Sequence, residues 1–393
     1  MHQMLTGCGN IRPLQLKNKE VFLHDLENLE YSWVGRGDCF AVGSTFIQEA
    51  KQLLCNSIAL FEQGFFDCAF YSLRSAIEIS TTIVYLVDMP EEARDENLVK
   101  WKEKRKFPMQ AKMLELLSKH GEAFADMRKK MDFFFDDTKN LSAAINKYVH
   151  KQGFEHFYVS RNHPMERNKP QDGFVEQFEH YFKRTLGVVA VMRLAIDPFP
   201  ILLMDPQVSK RCFESLTEPY QDEFVAEYVG EATISAYKTT TMYQELYSFF
   251  MEKEEKSEVV FDISHNQHID SQKKDEIMKQ IHLLDKMDAI SAFIVFSSEK
   301  VINVYTFLGL NHYFTDRTPN RLRISFNSSD FQEYEKAVCK FNQKYDEAYI
   351  SVFTFDEMTF WVEHNEQLSE DDIHRIKGNV NSEIAKYDVL FKV

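Results

Sequence analysis

The stretch NLSAAINKYVH, residues 140–150, decides how the N-terminal half of the chain is interpreted. It ends a long helical pattern, and within it Ser142, Asn146 and His150 recur every four residues and therefore share one helix face. The apolar residues between them fall on the opposite side, which a helical bundle would bury. A histidine beside short polar side chains on the exposed face can contact a phosphate or move a proton. The stretch therefore predicts a bundle helix whose solvent-facing stripe ends in a candidate functional histidine.

The composition is that of a globular protein without general affinity for nucleic acid. The 393 residues are 44% hydrophobic and 27% charged, which is enough chain for two or more domains. The formal net charge is −15, whereas phosphate contacts require clustered lysine and arginine side chains. Any contact with RNA or DNA is therefore expected to be local.

Cysteine usage and hydropathy indicate a cytoplasmic protein. The six cysteines are scattered without a C-x-x-C pair, so we expect reduced thiols and no metal site on their spacing. The N-terminus lacks the apolar segment of a signal peptide, and the most apolar run, 186–206, is interrupted by Arg193, Asp197, Pro198 and Pro200. The sequence carries no G-x-x-x-x-G-K, G-x-G-x-x-G or nucleophile-elbow motif. We therefore expect neither a membrane partner nor a cofactor.

Breaks in periodicity divide the chain into four segments of an α+β protein. We expect an irregular lead-in at 1–43, a helical bundle at 44–197, an acidic helical connector at 198–257 and an α+β domain at 258–393. Glycine, proline or charged residues separate the predicted bundle helices, which span residues 45–63, 65–87, 109–120, 122–150 and 174–196.

The sequence changes character at Val259, where alternating β-branched residues begin. Strands are predicted at 259–263, 290–296, 301–308, 322–327, 349–355 and 359–364, and helices at 270–286, 330–345 and 369–386. The order of the first part recurs in the second, which predicts two βαββ units. Neither unit can bury a sheet face alone, so we expect one α+β layer domain built from both.

Two of the predicted bundle helices resemble the HEPN family of helical-bundle proteins. Residues 64–70, GFFDCAF, and 73–78, LRSAIE, are similar to the family's opening helices, and 146–150, NKYVH, is similar to the end of its R-N-x-x-x-H motif. The resemblance covers residues 44–196. It implies a metal-independent endoribonuclease or a relic of one, often a homodimer, and often part of a toxin–antitoxin or antiphage defence system. In that family the motif's arginine and histidine from two protomers meet over the scissile phosphate.

Carried over residue by residue, the resemblance assigns Asn146 and His150 but not the arginine. The arginine position holds Ile145, whose side chain cannot bind phosphate. Arg74 is the candidate to supply this cation if the fold brings it to His150. Histidine would then transfer a proton while arginine stabilises charge developing on the phosphate. Two simpler roles stay open: His150 is favoured at a helix C-terminus, and Arg74 is spaced to pair with Glu78.

Two basic stretches are candidate RNA-binding segments. One surrounds Trp101 and the other surrounds His163. Basic side chains beside an aromatic residue can follow an RNA backbone and stack a base, although a solvated connector is the plainer explanation. Brought to one end of the bundle, the two stretches would form a local positive patch. The candidate residues are Lys100, Trp101, Lys102, Lys104, Arg105 and Lys106 in the first stretch, and Arg161, Arg167 and Lys169 in the second.

His265 and His268, which lie three residues apart between Asp262 and Asp270, have side chains that could ligate a metal ion. A polar loop between a strand and a helix explains the same residues without a metal, and we expect no metal there.

The sequence favours one function and leaves two alternatives. The favoured function is an RNA-directed effector, specifically a metal-independent endoribonuclease of a defence or toxin–antitoxin system, acting as a homo-oligomer. His150, Asn146 and Arg74 would be central, and the C-terminal domain would sense a trigger or bind a protein partner. The first alternative is a non-catalytic interaction or scaffold protein with a degenerate HEPN-like site. The second is a C-terminal domain that binds a small ligand between its two units.

Overall fold

The computed structural model describes residues 14–29, 40–157, 171–212, 217–336 and 340–387, with the backbone alone at 40–42 and 335. Two compact units make up the chain, residues 1–253 and 254–393. Each is organised around its own cluster of buried apolar side chains. The fold is mixed α+β, because the described part of the first unit is helical and the second unit contains a β-sheet.

The first unit combines long helices with short helical turns. A π-helical turn, Val225–Val229, follows directly after the short helix Asp222–Phe224. In chain order the helices are α1 (Lys19–Asp25), α2 (Phe40–Glu62), α3 (Phe66–Val87), α4 (Glu91–Lys102), α5 (Gln110–His120), α6 (Phe124–Lys130), α7 (Asp132–Val149), α8 (Gln171–Arg193), α9 (Phe199–Leu202), α10 (Pro206–Ser209), α11 (Asp222–Phe224), α12 (Glu231–Tyr237) and α13 (Thr241–Met251).

Helix α3 lies at the centre of the first unit. Gly64, with a φ of 85°, turns the chain so that α2 and α3 form a hairpin, and α3 also packs against α5, α7 and α8. Stacked aromatic rings hold these helices together: Phe61 lies 4.0 Å from Phe178, and Phe70 lies 4.0 Å from Tyr148. Each such pair stabilises the fold by about 0.5–1.5 kcal/mol beyond its buried area.

Most of the predicted bundle helices are present, with one division. Helices α2, α3, α5 and α8 occupy the segments predicted for them. The helix predicted at 122–150 is instead two helices, α6 and α7, which meet at Met131 with φ −118° and ψ 35°. Met131 is fully buried, so the chain bends where its side chain enters the core. The charged connector after Pro90 also forms a helix, α4.

The backbone of helix α8 lies against the backbone of a later segment of the chain. A Cβ atom built at Gly187 would lie only 1.9 Å from the carbonyl oxygen of Tyr228, which belongs to the π-helical turn. Only glycine permits this approach, because any side chain would overlap a main-chain atom that cannot rotate away.

The charged residues within the apolar run 186–206 are buried as a pair. The Arg193 guanidinium donates to Asp197 at 3.3 Å and to the Asn28 carbonyl oxygen at 3.0 Å, and both charged side chains are at most 1% exposed. Buried charges require such partners. No helix in the described ranges has the length and apolar character needed to cross a membrane.

The second unit places helices on both faces of a six-stranded sheet, counting the strands among its described residues. The strand order is β1-β3-β2-β6-β5-β4, and all neighbours are antiparallel except β1 and β3. The strands are β1 (His268–Ile269), β2 (Val301–Thr306), β3 (Asn311–Thr315), β4 (Gln343–Tyr345), β5 (Ala348–Phe355) and β6 (Met358–His364). The helices are α14 (Glu258–Asn266), α15 (Lys274–Lys279), α16 (Lys286–Ser297), α17 (Ser328–Glu335) and α18 (Glu370–Tyr387).

The two sheet faces have separate cores. Helices α14, α16 and α18 share the larger cluster with side chains such as Val304 and Val362. Helix α17 contributes Phe331 to a smaller aromatic cluster on the opposite face, together with Tyr305 and Trp361. Alternation along each strand sends successive residues to opposite faces, so both clusters use the same strands.

Part of the C-terminal prediction is confirmed and part is wrong. Strands β2, β5 and β6 and helix α18 form where they were predicted. The strand predicted at 259–263 lies within α14, where Val260 and Ile263 are buried three residues apart, as in a helix. The strand predicted at 290–296 lies within α16, whose residues from Asp288 to Val295 are all buried. A run that is apolar on every side lacks the periodicity that separates a buried helix from a buried strand.

The predicted βαββ repeat is replaced by a different order of elements. Residues 322–327 form no strand, and the helix predicted at 330–345 is shorter, α17, followed by β4. The helix predicted at 270–286 is reduced to α15 and two short 3-10 turns. The unit is therefore one continuous mixed sheet between helices.

Candidate functional site

The structure brings Arg74 of α3 to His150 at the end of α7. Arg74 Nη1 lies 3.2 Å from His150 Nε2, and the imidazole is exposed to solvent. Two contacts join α3 to the end of α7. The Tyr71 hydroxyl donates to the Val149 carbonyl oxygen at 3.1 Å, and Arg74 lies beside His150. Helices α3 and α7 pack against each other here. The groove between them is the α3–α7 groove, and it carries the candidate site.

Glu78 orients the Arg74 guanidinium. Its Oε1 accepts from Arg74 Nε and Nη2, both at 2.8 Å, which leaves Nη1 directed at His150. Arginine stays protonated in proteins, so Nη1 must donate and His150 Nε2 must accept. This hydrogen bond therefore needs a neutral imidazole that carries its proton on Nδ1. The expected ion pair between Arg74 and Glu78 is present and positions the same arginine for His150.

The HEPN-like resemblance would place an arginine at position 145, on α7. Ile145, which holds its place, is fully buried on the core side of α7. A cation at position 145 would face apolar packing rather than the groove. Arg74 supplies a cation to His150 from the neighbouring helix instead.

Three aromatic side chains on α3 and in the segment after α7 are exposed, and the sequence-based interpretation did not assign them a role. Tyr71 is 48% exposed and lies one turn before Arg74 on α3, while Phe154 and Phe157 are 63% and 37% exposed just after α7. The rings of Phe154 and Phe157 stack at 6.2 Å. Aromatic residues in amphipathic helices usually face the core, so only their offset from the buried stripe could have signalled this aromatic platform.

The basic stretch around Trp101 lies elsewhere in the unit. The Trp101 ring contacts Phe46 at 5.2 Å, and Phe107 contacts Tyr85 at 5.7 Å near the far end of α3. Tyr85 follows Arg74 by eleven residues, which is about 16 Å along a helix. Lys100 pairs with Glu96 at 2.6 Å and Arg105 with Glu103 at 2.6 Å, whereas Lys102, Lys104 and Lys106 are exposed. The structure thus does not bring this stretch to His150, and Arg161, Arg167 and Lys169 lie outside the described residues.

Asn146 faces a cavity rather than His150. The cavity has a volume of about 490 Å³ and lies between α3, α5, α6, α7 and α8. Asn146 Oδ1 is buried and has no hydrogen-bond partner within the described part of the chain. Ser142, one turn earlier on α7, lines the same cavity. The polar residues on one face of α7 therefore lie in two different places. Ser142 and Asn146 line the cavity, whereas His150 lies in the α3–α7 groove.

The residues considered for a metal do not converge. His268 Nδ1 lies 2.7 Å from Asp262 Oδ2, but the His265 ring stacks on Phe261 at 5.0 Å and Asp270 accepts the Gln272 amide. Among the described residues no group of three or more potential metal-binding side chains is present.

Among the described residues of the second unit, Asp288, Glu363 and Asp372 have buried carboxylates. Glu363 is fully buried and accepts from Asn303 at 3.0 Å, Tyr305 at 2.5 Å and Arg321 at 2.8 Å. Asp288 accepts from the Tyr313 hydroxyl at 2.7 Å, and its burial, reinforced by the charge of Asp285, raises its pKa to about 7. Every donor to Glu363 comes from a neighbouring strand or loop, so this carboxylate joins parts of the fold.

The α3–α7 groove thus combines an exposed imidazole with an oriented guanidinium. Exposed aromatic residues lie on α3 and after α7, and the cavity at Asn146 lies one helical turn before His150. These features occur within one compact unit, residues 1–253. Comparison of the chain with protein-family models, curated proteins and solved structures finds no match.

Proposed function

We propose that the first unit binds single-stranded RNA along the α3–α7 groove and cleaves it without a metal ion. The observation that carries the proposal is the 3.2 Å contact between the Arg74 guanidinium and the exposed His150 imidazole. A fixed cation and a proton acceptor at hydrogen-bond distance match the two needs of phosphodiester transfer, which are charge stabilisation and proton movement.

The proposed step is attack by the ribose 2′-hydroxyl on the adjacent phosphate. The 2′-oxygen forms a bond to phosphorus while the bond from phosphorus to the 5′-oxygen of the next nucleotide breaks. His150 accepts the 2′-hydroxyl proton, and the departing 5′-oxygen takes a proton from water. Arg74 donates to the phosphate oxygens as their negative charge grows. The products are a 2′,3′-cyclic phosphate and a 5′-hydroxyl.

The hydrogen bond seen between Arg74 and His150 supports this assignment of roles. The same lone pair that accepts from Nη1 is the one a general base uses. When a phosphate oxygen takes over the Nη1 donor, His150 Nε2 becomes available for the 2′-hydroxyl proton. Glu78 keeps the guanidinium in place through its other two nitrogens during this exchange.

The aromatic platform supports RNA as the substrate. Tyr71 has an exposed ring one turn before Arg74, and Phe154 has an exposed ring four residues after His150. Bases of single-stranded RNA stack on such rings at about 1–3 kcal/mol per base. Stacking depends little on net charge, so it suits a local nucleic-acid site on an acidic protein. The HEPN-like resemblance adds a setting to the proposal: a cytoplasmic homo-oligomer in antiphage defence or a toxin–antitoxin pair, whose C-terminal unit binds a trigger or a protein partner.

A non-catalytic interaction protein is the second candidate, and one observation favours it. Glu78 and His150 already engage the Arg74 guanidinium, so the cluster is satisfied without a ligand. In that case the groove would bind RNA or protein without breaking a bond.

The test is cleavage of end-labelled single-stranded RNA in the presence of EDTA. We expect products ending in cyclic phosphate, and a loss of rate of about 100-fold or more in His150→Ala and in Arg74→Ala. His120→Ala and Arg94→Ala are matched controls, since His120 also ends a helix and Arg94 also pairs with carboxylates on its own helix. Cleavage that survives His150→Ala would refute the proposed mechanism. Binding of RNA without cleavage would replace it with the second candidate.

A further inference from the structure

The cavity between α3, α5, α6, α7 and α8 is open at one side and apolar inside. Its volume of about 490 Å³ falls within the range of about 300–1,000 Å³ usual for small-molecule sites. Ala111 of α5 and Ala143 of α7 are exposed members of its lining, so the opening lies between these two helices. Ile77, Phe135 and Met192 are buried and form its inner wall. A small molecule can therefore enter from solvent and cover an apolar surface.

The polar side chains of the lining already use their donors. The hydroxyl groups of Thr81, Ser118 and Thr138 donate to carbonyl oxygens of their own helices at 2.8, 2.7 and 2.9 Å. The Gln110 amide donates to the Thr81 hydroxyl oxygen at 3.2 Å. A ligand rich in hydroxyl or amide groups would lose its hydration here without gaining matching partners, which weakens binding. The lining therefore favours a hydrocarbon body over a sugar or a nucleobase.

The charged side chains of the lining differ in whether they are paired. The Arg128 guanidinium donates to Asp136 at 2.6 Å, and Glu115 is paired with two lysines of its own helix. Lys139 is exposed and forms no ion pair within the ranges that the structure describes. Lysine is a compact point charge on a flexible chain, so it suits a head group with a single negative charge. A carboxylate is such a group.

The cationic side chains lie toward one end of the lining. Lys139 follows Phe135 by one turn of α7, and the Arg128 guanidinium lies 5.7 Å from the centre of the Phe135 ring. From there the lining of α7 continues through Ala143 to Asn146. Phe135 and Asn146 are eleven residues apart, which is about 16 Å along a helix. With C–C bonds of about 1.5 Å, an extended alkyl chain advances about 1.3 Å per carbon, so about twelve carbons span this length.

We propose that this cavity binds an unbranched fatty carboxylate, with its chain along α7 and its head group at Lys139. Burial of the methylene groups against the apolar wall supplies most of the affinity. The carboxylate stays at the solvent-exposed edge, where Lys139 contributes the smaller share that an exposed ion pair gives. The inference is independent of the proposed RNA cleavage, because the site uses neither Arg74 nor His150.

The first test is the dependence of binding on chain length. Saturated carboxylates from hexanoate to hexadecanoate, each below its micelle concentration, are titrated into the full chain by calorimetry. We expect the affinity to rise by up to about four-fold for each added methylene, and to level off near dodecanoate, where the chain outgrows the cavity. Decanoate should bind up to about five-fold more tightly than decanol, which has the same chain without the charge. Affinity that still rises toward hexadecanoate would show adsorption to an open surface and overturn the inference, as would a lack of binding by dodecanoate.

Two matched pairs of variants locate the bound molecule. Ala143→Trp fills the opening and should weaken dodecanoate binding at least about ten-fold, whereas Asn140→Trp, an exposed position of α7 outside the lining, should not. Lys139→Gln should remove the difference between decanoate and decanol, whereas Lys147→Gln, also exposed on α7 and outside the lining, should keep it. All four positions are exposed or half-buried, so the melting temperatures without ligand should match the wild type. Equal weakening by both tryptophan variants, or a preference for decanoate that survives Lys139→Gln, would overturn the assignment.

Discussion

Replacing Asp288 by asparagine is expected to stabilise the second unit, and by an amount that depends on pH. The Asp288 carboxyl is buried, accepts from the Tyr313 hydroxyl and has its pKa raised to about 7. An acid whose folded pKa is higher than its unfolded pKa holds its proton more tightly in the folded state. The resulting penalty on folding is absent below the ordinary value of 3.8, grows as pH rises, and is complete above about 7.

The magnitude follows from the two pKa values. With one pH unit equivalent to about 1.4 kcal/mol, the penalty is about 4 kcal/mol at pH 8 and about 1 kcal/mol at pH 4.5. Asparagine has the same shape, keeps an acceptor for Tyr313 and carries no charge. The gain in the free energy of unfolding of Asp288→Asn should therefore be larger at pH 8 than at pH 4.5 by about 3 kcal/mol.

The assay is urea denaturation followed by the fluorescence of Trp361, a buried residue of the second unit, in a chain carrying Trp33→Phe and Trp101→Phe. Comparing wild type and variant at each pH removes contributions from all other titrating groups, which the two proteins share. An equal change at both pH values would show that Asp288 is ionised without penalty. A larger gain at pH 4.5 would contradict the sign of the argument.

Two predictions concern contacts described above. Gly187→Ala should lower the unfolding free energy of the first unit by about 3 kcal/mol or more, because the new methyl group would overlap the Tyr228 carbonyl oxygen. Gly173→Ala on the same helix, with open space around the new atom, should have little effect or a small stabilising one. Both variants are compared by urea denaturation followed by the fluorescence of Trp101, which packs against Phe46 in the first unit, in a chain carrying Trp33→Phe and Trp361→Phe. Arg321→Met should destabilise the second unit by about 3 kcal/mol, because it removes the cation that pairs with the buried Glu363 carboxylate. Hydrogen exchange of β2 and β6 should increase in that variant, and unchanged protection would contradict the role given to Arg321.

Sequence patterns gave the correct element types for four helices of the first unit and three strands of the second. Helices α2, α3, α5 and α8 and strands β2, β5 and β6 were predicted from the spacing of their apolar residues. The pattern predicted the wrong element type for helix α16. Helix α16 is buried on all sides, so its apolar run carries no periodicity and resembles a central strand. The bend at Met131 is likewise set by tertiary packing, since nothing in the local sequence breaks the helix there.

The candidate site was predictable in part. The spacing of Asn146 and His150 showed that they share one helix face, and Arg74 was the candidate cation, which the fold places 3.2 Å from His150. Spacing could not show that Asn146 opens into a cavity while His150 opens into the groove, since that depends on where α5 and α6 end. The platform of Tyr71, Phe154 and Phe157 was missed, because exposure of an aromatic residue is decided by its neighbours in space.

The backbone contact at Gly187 links one amino-acid choice to the course of the chain far beyond it. The π-helical turn that contains Tyr228 can approach α8 only while position 187 has no side chain. A homologue with alanine or serine at position 187 would need a turn that lacks the extra residue, or a turn displaced away from α8. Paired changes at position 187 and in the π-helical turn would therefore identify distant homologues even where little other sequence similarity remains.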